Sequence, residues 1–119
     1  MNSTGNAQIE KHTFLFAQAV RNFVKSLPPT ISNIEDTKML VRTSGLVGEK
    51  YLRANESVSK KDFLVGMKSC CAEAKASFYW LNLLDTQSIP ELEEKRQQLI
   101  KVATELVNVF SAVLTKAQA

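Results

Sequence analysis

The sequence predicts an all-α protein, with residues 1–119 forming one domain folded as an up-down-up-down four-helix bundle. Three observations predict this class. The chain contains four glycines and three prolines, which is too little punctuation for many short strands. Apolar residues recur at spacings of three and four, as in helices that bury one face. Segments typical of helix starts divide the chain into four stretches of about 20 to 28 residues, which pack most simply as a bundle.

The first predicted helix extends from about Ala7 to Ser26. Residues 1–6 are polar, and we expect them to be flexible. The helix has to end before Pro28 and Pro29, because a proline ring clashes with a continuing helix and restricts the residue before it. The apolar residues expected to face the core are Phe14, Ala17, Val20, Val24 and Leu27.

A capping box, Ser-Asn-Ile-Glu at 32–35, predicts the start of the second helix, which extends to about Ala54. Within it, Ser44, Gly45 and Gly48 place small residues in about one turn. A glycine inside a helix costs about 0.5–1 kcal/mol relative to alanine. We expect the close approach of a neighbouring helix to offset this cost. The apolar residues of this helix are Leu40, Val47 and Tyr51, with Val41, Gly48 and Leu52 beside them.

Two further capping boxes predict the last two helices. The segment 59–62 starts the third helix near Lys60. The segment 88–91 starts the fourth, with Pro90 in the first turn, where its missing N–H costs nothing. The fourth helix extends to about Lys116. The core seam of the third helix is Phe63, Met67, Cys70, Ala74, Ser77, Leu81 and Leu84. That of the fourth is Leu92, Leu99, Leu106 and Val113, with Val102 and Val109 between them.

The third and fourth helices carry more apolar surface than one bundle core needs. The third has a line through Ala72 on the face nearly opposite its seam, and the fourth has a second line beside its seam. Contiguous exposed apolar surface marks interaction sites, which favours self-association over the alternative of a thick core with scattered surface residues. The candidate subunit-contact residues are Val65, Tyr79, Trp80, Ile100, Val107 and Leu114.

The residue types that catalysis and metal binding need are scarce. His12 is the single histidine, and metal sites built from His and Cys need more ligands. Cys70 and Cys71 are adjacent on a helix, and we expect them to be buried, reduced thiols. The sequence has no glycine-rich phosphate loop, nucleophile elbow or Glu-x-x-His pair. We therefore expect no enzymatic activity, no cofactor and no small-molecule substrate.

The sequence favours a cytoplasmic protein. The start of the chain lacks the features of a secretory signal, and we see no apolar run of about 18 residues that would span a membrane. The net charge of +3, from 15 basic and 12 acidic residues, permits an acidic partner without requiring one.

The basic residues that could bind nucleic acid lie on the second and third helices. Lys61, Lys68 and Lys75 are seven residues apart, and phosphate contacts need only suitably spaced cations. The alternative interpretation is a solvated helix face. An oligomer would repeat a weak basic surface and strengthen it through multivalency. The nucleic-acid candidates are Arg42, Lys50, Arg53, Lys60, Lys61, Lys68 and Lys75.

Three stretches resemble a known family when taken as an ordered series. They are Leu40–Phe63 (LVRTSGLVGEKYLRANESVSKKDF), Glu73–Leu81 (EAKASFYWL) and Phe14–Pro28. They resemble the bacterial four-helix-bundle proteins first noted as products of intervening sequences in 23S ribosomal RNA genes. Glu56 matches the acidic residue that commonly follows the second helix of that family, whereas Lys50 and Ala76 depart from its pattern.

The resemblance implies an up-down bundle that assembles into ring-like homopentamers. The accessory protein of diversity-generating retroelements looks like a member of the same superfamily. It is a basic pentamer that binds nucleic acid and a reverse transcriptase. We therefore predict a non-enzymatic homo-oligomer, a pentamer by resemblance, whose ligand is RNA or a ribonucleoprotein. The alternative is a protein–protein adaptor with no role in nucleic-acid binding.

Overall fold

The structure, a computed structural model, describes residues 3–118, with side chains from Gly5 onward. It consists of four helices, α1 (Ser3–Val24), α2 (Ile31–Asn55), α3 (Lys60–Leu83) and α4 (Pro90–Gln118), and the described residues contain no strand. Each helix packs against two neighbours, so that α1 lies diagonally across from α3 and α2 across from α4. The predicted all-α four-helix bundle is confirmed.

The helix α1 begins four residues before its predicted start. The predicted flexible segment 1–6 falls partly outside the described residues, and from Ser3 onward the chain is helical. The first turn is tied to α2, because the Tyr51 hydroxyl lies 3.1 Å from the Asn6 side-chain oxygen and donates a hydrogen bond to it. The helix ends at Val24, close to the end that the proline pair predicted.

The predicted capping box of α2 is wrong by two residues. Thr30 is the N-cap, and its hydroxyl accepts a hydrogen bond of 3.1 Å from the Asn33 backbone N–H. The Asn33 side chain is buried and serves another purpose, because its amide nitrogen donates to the carbonyl oxygens of Pro28 and Asp85. It thereby ties the α1–α2 loop to the α3–α4 loop. The predicted cap of α3 is confirmed, since Ser59 accepts from the Asp62 N–H at 3.0 Å.

The predicted capping box at the start of α4 is also wrong. Gln87 and Ser88 have φ angles of 53° and 59°, so Ser88 lies in the left-handed region and does not adopt the extended backbone of an N-cap. The carboxylate of Glu93 instead accepts a hydrogen bond of 2.9 Å from the Thr86 hydroxyl, which fixes the loop to the first turns of α4. Pro90 is the first helical residue, in agreement with the prediction that it lies in the first turn.

The core confirms most of the predicted seams but corrects that of α1. On α1, Phe14 is 65% exposed, and Phe16, Val20 and Phe23 fill the core. Apolar residues occur in both helical phases of α1, so periodicity alone did not identify the buried phase. On α2, Leu52 is exposed rather than packed beside the core. The buried residues of α3 and α4 are Met67, Cys70, Cys71, Ala74, Ser77, Leu81, Leu92, Leu99, Ala103, Leu106 and Phe110.

The predicted close approach at the glycines of α2 is confirmed at Gly48. A Cβ atom at this position would lie 2.9 Å from the Thr13 hydroxyl oxygen of α1. Gly45 accommodates a side chain instead, because a Cβ atom there would lie 3.1 Å from the guanidinium of Arg21. A third close approach was not predicted: at Gly66 of α3 a Cβ atom would lie 2.8 Å from the methyl carbon of an α2 alanine.

The composition of α4 corrects the expectation that the sequence has no segment apolar enough to span a membrane. Between Arg96 and Lys116 it contains two charged residues, and it is long and apolar enough, by length and composition alone, to cross a membrane. Leu99, Leu106 and Phe110 of this segment are buried in the bundle core. The core helix of a globular bundle can have the same composition, but only 22% of the most apolar 18-residue window of α4 is buried inside the bundle.

Candidate nucleic-acid and subunit-contact surfaces

The outer face of α3 carries a continuous line of apolar and small residues, which we call the α3 stripe. Its residues recur at spacings of four and three on the side opposite the core seam. Val65 and Tyr79 are 61% and 57% exposed, and Leu83 is 48% exposed. At 1.5 Å per residue the stripe is about 27 Å long. It consists of Val65, Ser69, Ala72, Ala76, Tyr79 and Leu83. No other helix of the described chain covers this face, because α1 lies diagonally opposite.

The structure separates the six predicted subunit-contact residues into two groups. Val65 and Tyr79 belong to the exposed α3 stripe. The other four, Trp80, Ile100, Val107 and Leu114, are half-buried and pack against the core. Trp80 contacts Tyr79 edge-to-face, with ring centroids 5.1 Å apart. Sequence periodicity predicted all six as exposed subunit contacts, because it does not show which flank of a helix its neighbours cover.

A row of lysines lies beside the α3 stripe on the flank of α3 that faces α4. Lys61, Lys68 and Lys75 are exposed, and none forms an ion pair within the described residues. Their spacing of seven residues places them about 10.5 Å apart along the helix. We call these three residues the lysine row. Lys60, at the first position of α3, is also exposed and unpaired in the same part of the chain.

The side of α4 next to the lysine row carries hydroxyl groups. The Cys71 sulfur of α3 lies 3.9 Å from the Ser111 oxygen, which identifies the facing side of α4. Helical spacing places Thr104 and Thr115 on that side, and it places Glu105 on the side toward α1. The lysine row therefore adjoins neutral polar groups, and no carboxylate of the described residues forms an ion pair with it.

The cations of α2 differ from the lysine row in their electrostatic surroundings. The Lys50 ammonium lies 2.7 Å from a carboxylate oxygen of Glu73, and its side chain is 31% exposed. Arg53 is paired with Glu49 one turn earlier on α2. Arg42 is exposed and has no ion pair within the described residues. Among the seven nucleic-acid candidates, Lys60 and the lysine row therefore lie together on α3. The charges of Lys50 and Arg53 are compensated by carboxylates.

The structure contains two small grooves between neighbouring helices. The first lies between α3 and α4, has a volume of about 220 Å³ and is lined by Lys75, Phe78, Thr104 and Val107. We call it the Phe78 groove. The second lies between α1 and α2, with a volume of about 250 Å³, and its walls include the exposed side chains of Phe14 and Leu52. The sequence pattern indicated neither groove, although Gly48, which lines the second, was a signal of close helix packing.

The described residues include two thiols and a pocket at one end of the bundle, which bear on chemical reactivity. The predicted burial of both thiols is confirmed, and burial raises the pKa of Cys70 to about 12. That thiol stays protonated near neutral pH, which removes its nucleophilicity. Residues 3–118 contain no group of three His, Cys, Asp or Glu side chains that could hold a metal ion. A pocket of about 390 Å³ at one bundle end is lined by Ile9, Phe63 and Val113, with Lys116 as its one charged residue.

The bundle is similar to a solved structure. That structure is a crystal structure of a protein with unknown function from the S23 ribosomal protein family of Bacteroides thetaiotaomicron VPI-5482. The TM-score is 0.77 with 20% sequence identity, and the match covers 92% of this chain and 97% of the other. At this identity the likeness shows the fold alone. No protein-family model matches the chain, and no curated protein matches it.

The structural match extends further along the chain than the sequence resemblance. The resemblance covers about residues 14–84, whereas a match over 92% of the chain has to include most of α4. All four helices therefore share their arrangement with the protein of the S23 ribosomal protein family.

Proposed function

We propose that this chain is a non-enzymatic scaffold module of the cytoplasm that assembles into a homopentamer and binds RNA or a ribonucleoprotein. The observation that carries the proposal is the outer face of α3. There, an uncovered apolar stripe and a row of lysines without ion pairs share one exposed helix surface. The first feature fits a contact between copies of the chain, and the second fits a polyanion.

The case for self-assembly is the position of the α3 stripe. Val65, Tyr79 and Leu83 are each about half exposed or more, and within the described residues no other helix covers them. Burying such a surface is favourable by roughly 25 cal/mol per Å² of apolar area. The subunit count comes from the resemblance to the intervening-sequence proteins, and the likeness in fold to a protein of the S23 ribosomal protein family supports that resemblance.

The case for RNA is the charge distribution around α3. Lys61, Lys68 and Lys75 form no ion pair within the described residues, and hydroxyl side chains lie on the facing side of α4. Phosphate binding to such a surface is driven by counterion release and needs no sequence-reading motif. A pentamer would present the row five times, and simultaneous contacts would strengthen binding through effective concentration. The two buried, free thiols are typical of a reducing compartment such as the cytoplasm.

One experiment tests both parts of the proposal. Light scattering measures the particle mass, and a salt titration measures RNA affinity for the native chain and for a Lys61→Ala/Lys68→Ala/Lys75→Ala variant. We expect a pentamer, weaker binding by the variant, and a salt slope smaller by about 0.7 for each phosphate of a single strand that the variant no longer neutralises. The matched control replaces the exposed Lys25, Lys95 and Lys101, which changes the net charge equally. Equally weakened binding by the two variants would reject the lysine row, and a monomer would reject the scaffold.

A further inference from the structure

We infer that the Phe78 groove receives an unpaired base of single-stranded RNA while the lysine row holds the flanking phosphates. This inference rests on the proposed RNA binding and names the class of nucleic acid that the surface selects. It arises from one juxtaposition: an accessible aromatic side chain lies in a groove whose rim carries the last lysine of the row.

The groove offers three kinds of contact within one small space. Phe78 is 41% exposed, and Val107 of α4 lies on the other side of the groove. An aromatic face and an aliphatic wall suit a flat base, because every base has a π-face and stacking tolerates any sequence. Thr104 donates its hydroxyl proton to the Ile100 carbonyl at 2.9 Å, so its oxygen remains able to accept a hydrogen bond from a base amino group.

The charge distribution indicates that the phosphates lie along the lysine row and the base lies in the Phe78 groove. Lys75 lines the groove, and Lys68 lies about 10.5 Å further along the same flank of α3. Lys68 and Lys75 form no ion pair within the described residues, so their charges are free to attract the phosphates outside the groove. The groove lining contains one charged residue, so the uncharged base is the part of the nucleotide that fits inside.

A duplex does not fit this arrangement. In an A-form RNA helix the bases are stacked and paired, and the deep, narrow major groove excludes protein side chains. A bundle face with a shallow groove can touch the phosphates of a duplex but cannot reach a base face. A single strand can turn one base out of its stack and place it against Phe78. The surface therefore favours single strands, and the advantage depends on the aromatic ring.

The contact is compatible with assembly through the α3 stripe. Tyr79 and the other stripe residues point away from the bundle, whereas Phe78 lies on the α4 side of α3. Burial of the stripe between copies would leave the groove open at the edge of each contact. A strand could then pass from one copy to the next.

The test compares a single-stranded RNA with a duplex of the same length at one salt concentration. The single strand carries 2-aminopurine, whose fluorescence falls when the base stacks. We expect the native protein to bind the single strand more tightly and to quench the probe. In Phe78→Leu the affinity for the single strand should fall on the order of tenfold, with the quenching abolished and the duplex affinity unchanged. Phe14→Leu is the matched control, because Phe14 is an exposed aromatic residue on α1.

The outcomes separate this inference from the proposed function. Equal binding of the duplex and the single strand, or quenching that persists in Phe78→Leu, would overturn the inference while the lysine row remained the RNA surface. No binding of either RNA would overturn both. Circular dichroism of Phe78→Leu verifies that the bundle is intact, and Phe78→Tyr, which keeps the ring, should retain both the quenching and most of the affinity.

Discussion

The Nζ atom of Lys50 donates a hydrogen bond of 2.7 Å to Oε2 of Glu73 and thereby joins α2 to α3. One turn further along the same interface, the Ser77 hydroxyl lies 3.0 Å from the Thr43 hydroxyl. The Ser77–Thr43 contact is buried in the core, and the Lys50–Glu73 pair lies at its partly exposed edge. Lys50 therefore acts within the bundle, which distinguishes it from the lysines of the α3 row.

Replacement of Lys50 by alanine should destabilise the fold and leave RNA affinity unchanged. The side chain of Glu73 is 16% exposed, and it would lose its counter-charge. Leaving a mostly buried charged group unpaired costs about 1–3 kcal/mol. Urea denaturation measures this decrease in the free energy of unfolding. Lys68→Ala should show the reverse pattern, with native stability and weaker RNA binding, so a stable Lys50→Ala variant would contradict the structural role.

Alanine substitutions at the three helical glycines should have graded effects. At Gly66 the new Cβ atom would lie 2.8 Å from the Ala54 side chain and 3.1 Å from its Cα, and at Gly48 it would lie 2.9 Å from Thr13. Overpacking of this kind costs about 1–3 kcal/mol. At Gly45 the neighbour is the movable guanidinium of Arg21, and alanine gains up to about 1 kcal/mol in helix propensity.

We therefore expect thermal unfolding midpoints to fall for Gly66→Ala and Gly48→Ala and to stay level or rise for Gly45→Ala. If Gly45→Ala were the most destabilised of the three, the close approaches assigned to the other two glycines would be incorrect.

The α3–α4 loop should confer an acid-dependent part of the stability. Hydrogen bonds from Gln97, Arg96 and Thr86 lower the pKa of Glu93 to about 2, well below its ordinary value of 4.5. Because the folded pKa is depressed, the ionised form stabilises the fold above pH 4.5. That contribution disappears as the pH falls from about 4.5 toward 2.

Urea midpoints measured at pH 7 and at pH 3 should therefore differ less in Glu93→Gln than in the native chain. Glu94→Gln is the control, because Glu94 is exposed in the same turn and has no ion pair within the described residues. A native-like acid response in Glu93→Gln would contradict this assignment.

A charge in the centre of the α3 stripe should prevent assembly without unfolding the monomer. Ala72 is exposed, so Ala72→Glu places a carboxylate in solvent in the monomer but in an apolar contact in the oligomer. Light scattering should show a smaller particle, while circular dichroism remains that of a helical protein. Ala112→Glu, at an exposed position of α4, is the control and should retain the native mass.

Much of the architecture could be predicted because helix boundaries and seams depend on local sequence. The Ser59 cap of α3 and the seam from Met67 to Leu81 were both predicted correctly. The errors occur where two nearby residues were equally suited to one structural role. Thr30 and Ser32 are both able to cap α2, and Phe14 and Phe16 are both able to face inward from α1. The choice in each case depends on contacts with residues distant in the chain.

The candidate surfaces were predictable in part for the same reason. The seven-residue spacing of Lys61, Lys68 and Lys75 is a property of one helix, and so is the line from Val65 to Tyr79. Contacts between side chains of different helices are not a property of one helix. The ion pair that occupies Lys50 and the groove around Phe78 each need a second helix at a defined rotation.

By itself the sequence determined the helical class, the number of helices, their approximate ends and the surplus of apolar surface on α3. These follow from periodicity, capping and the punctuation of the chain, which act within a few residues. The tertiary structure alone decided which phase of α1 is buried, which cations are compensated and where an aromatic ring adjoins a lysine. Those outcomes depend on how helices distant in sequence rotate against one another, and side-chain packing between them determines that rotation.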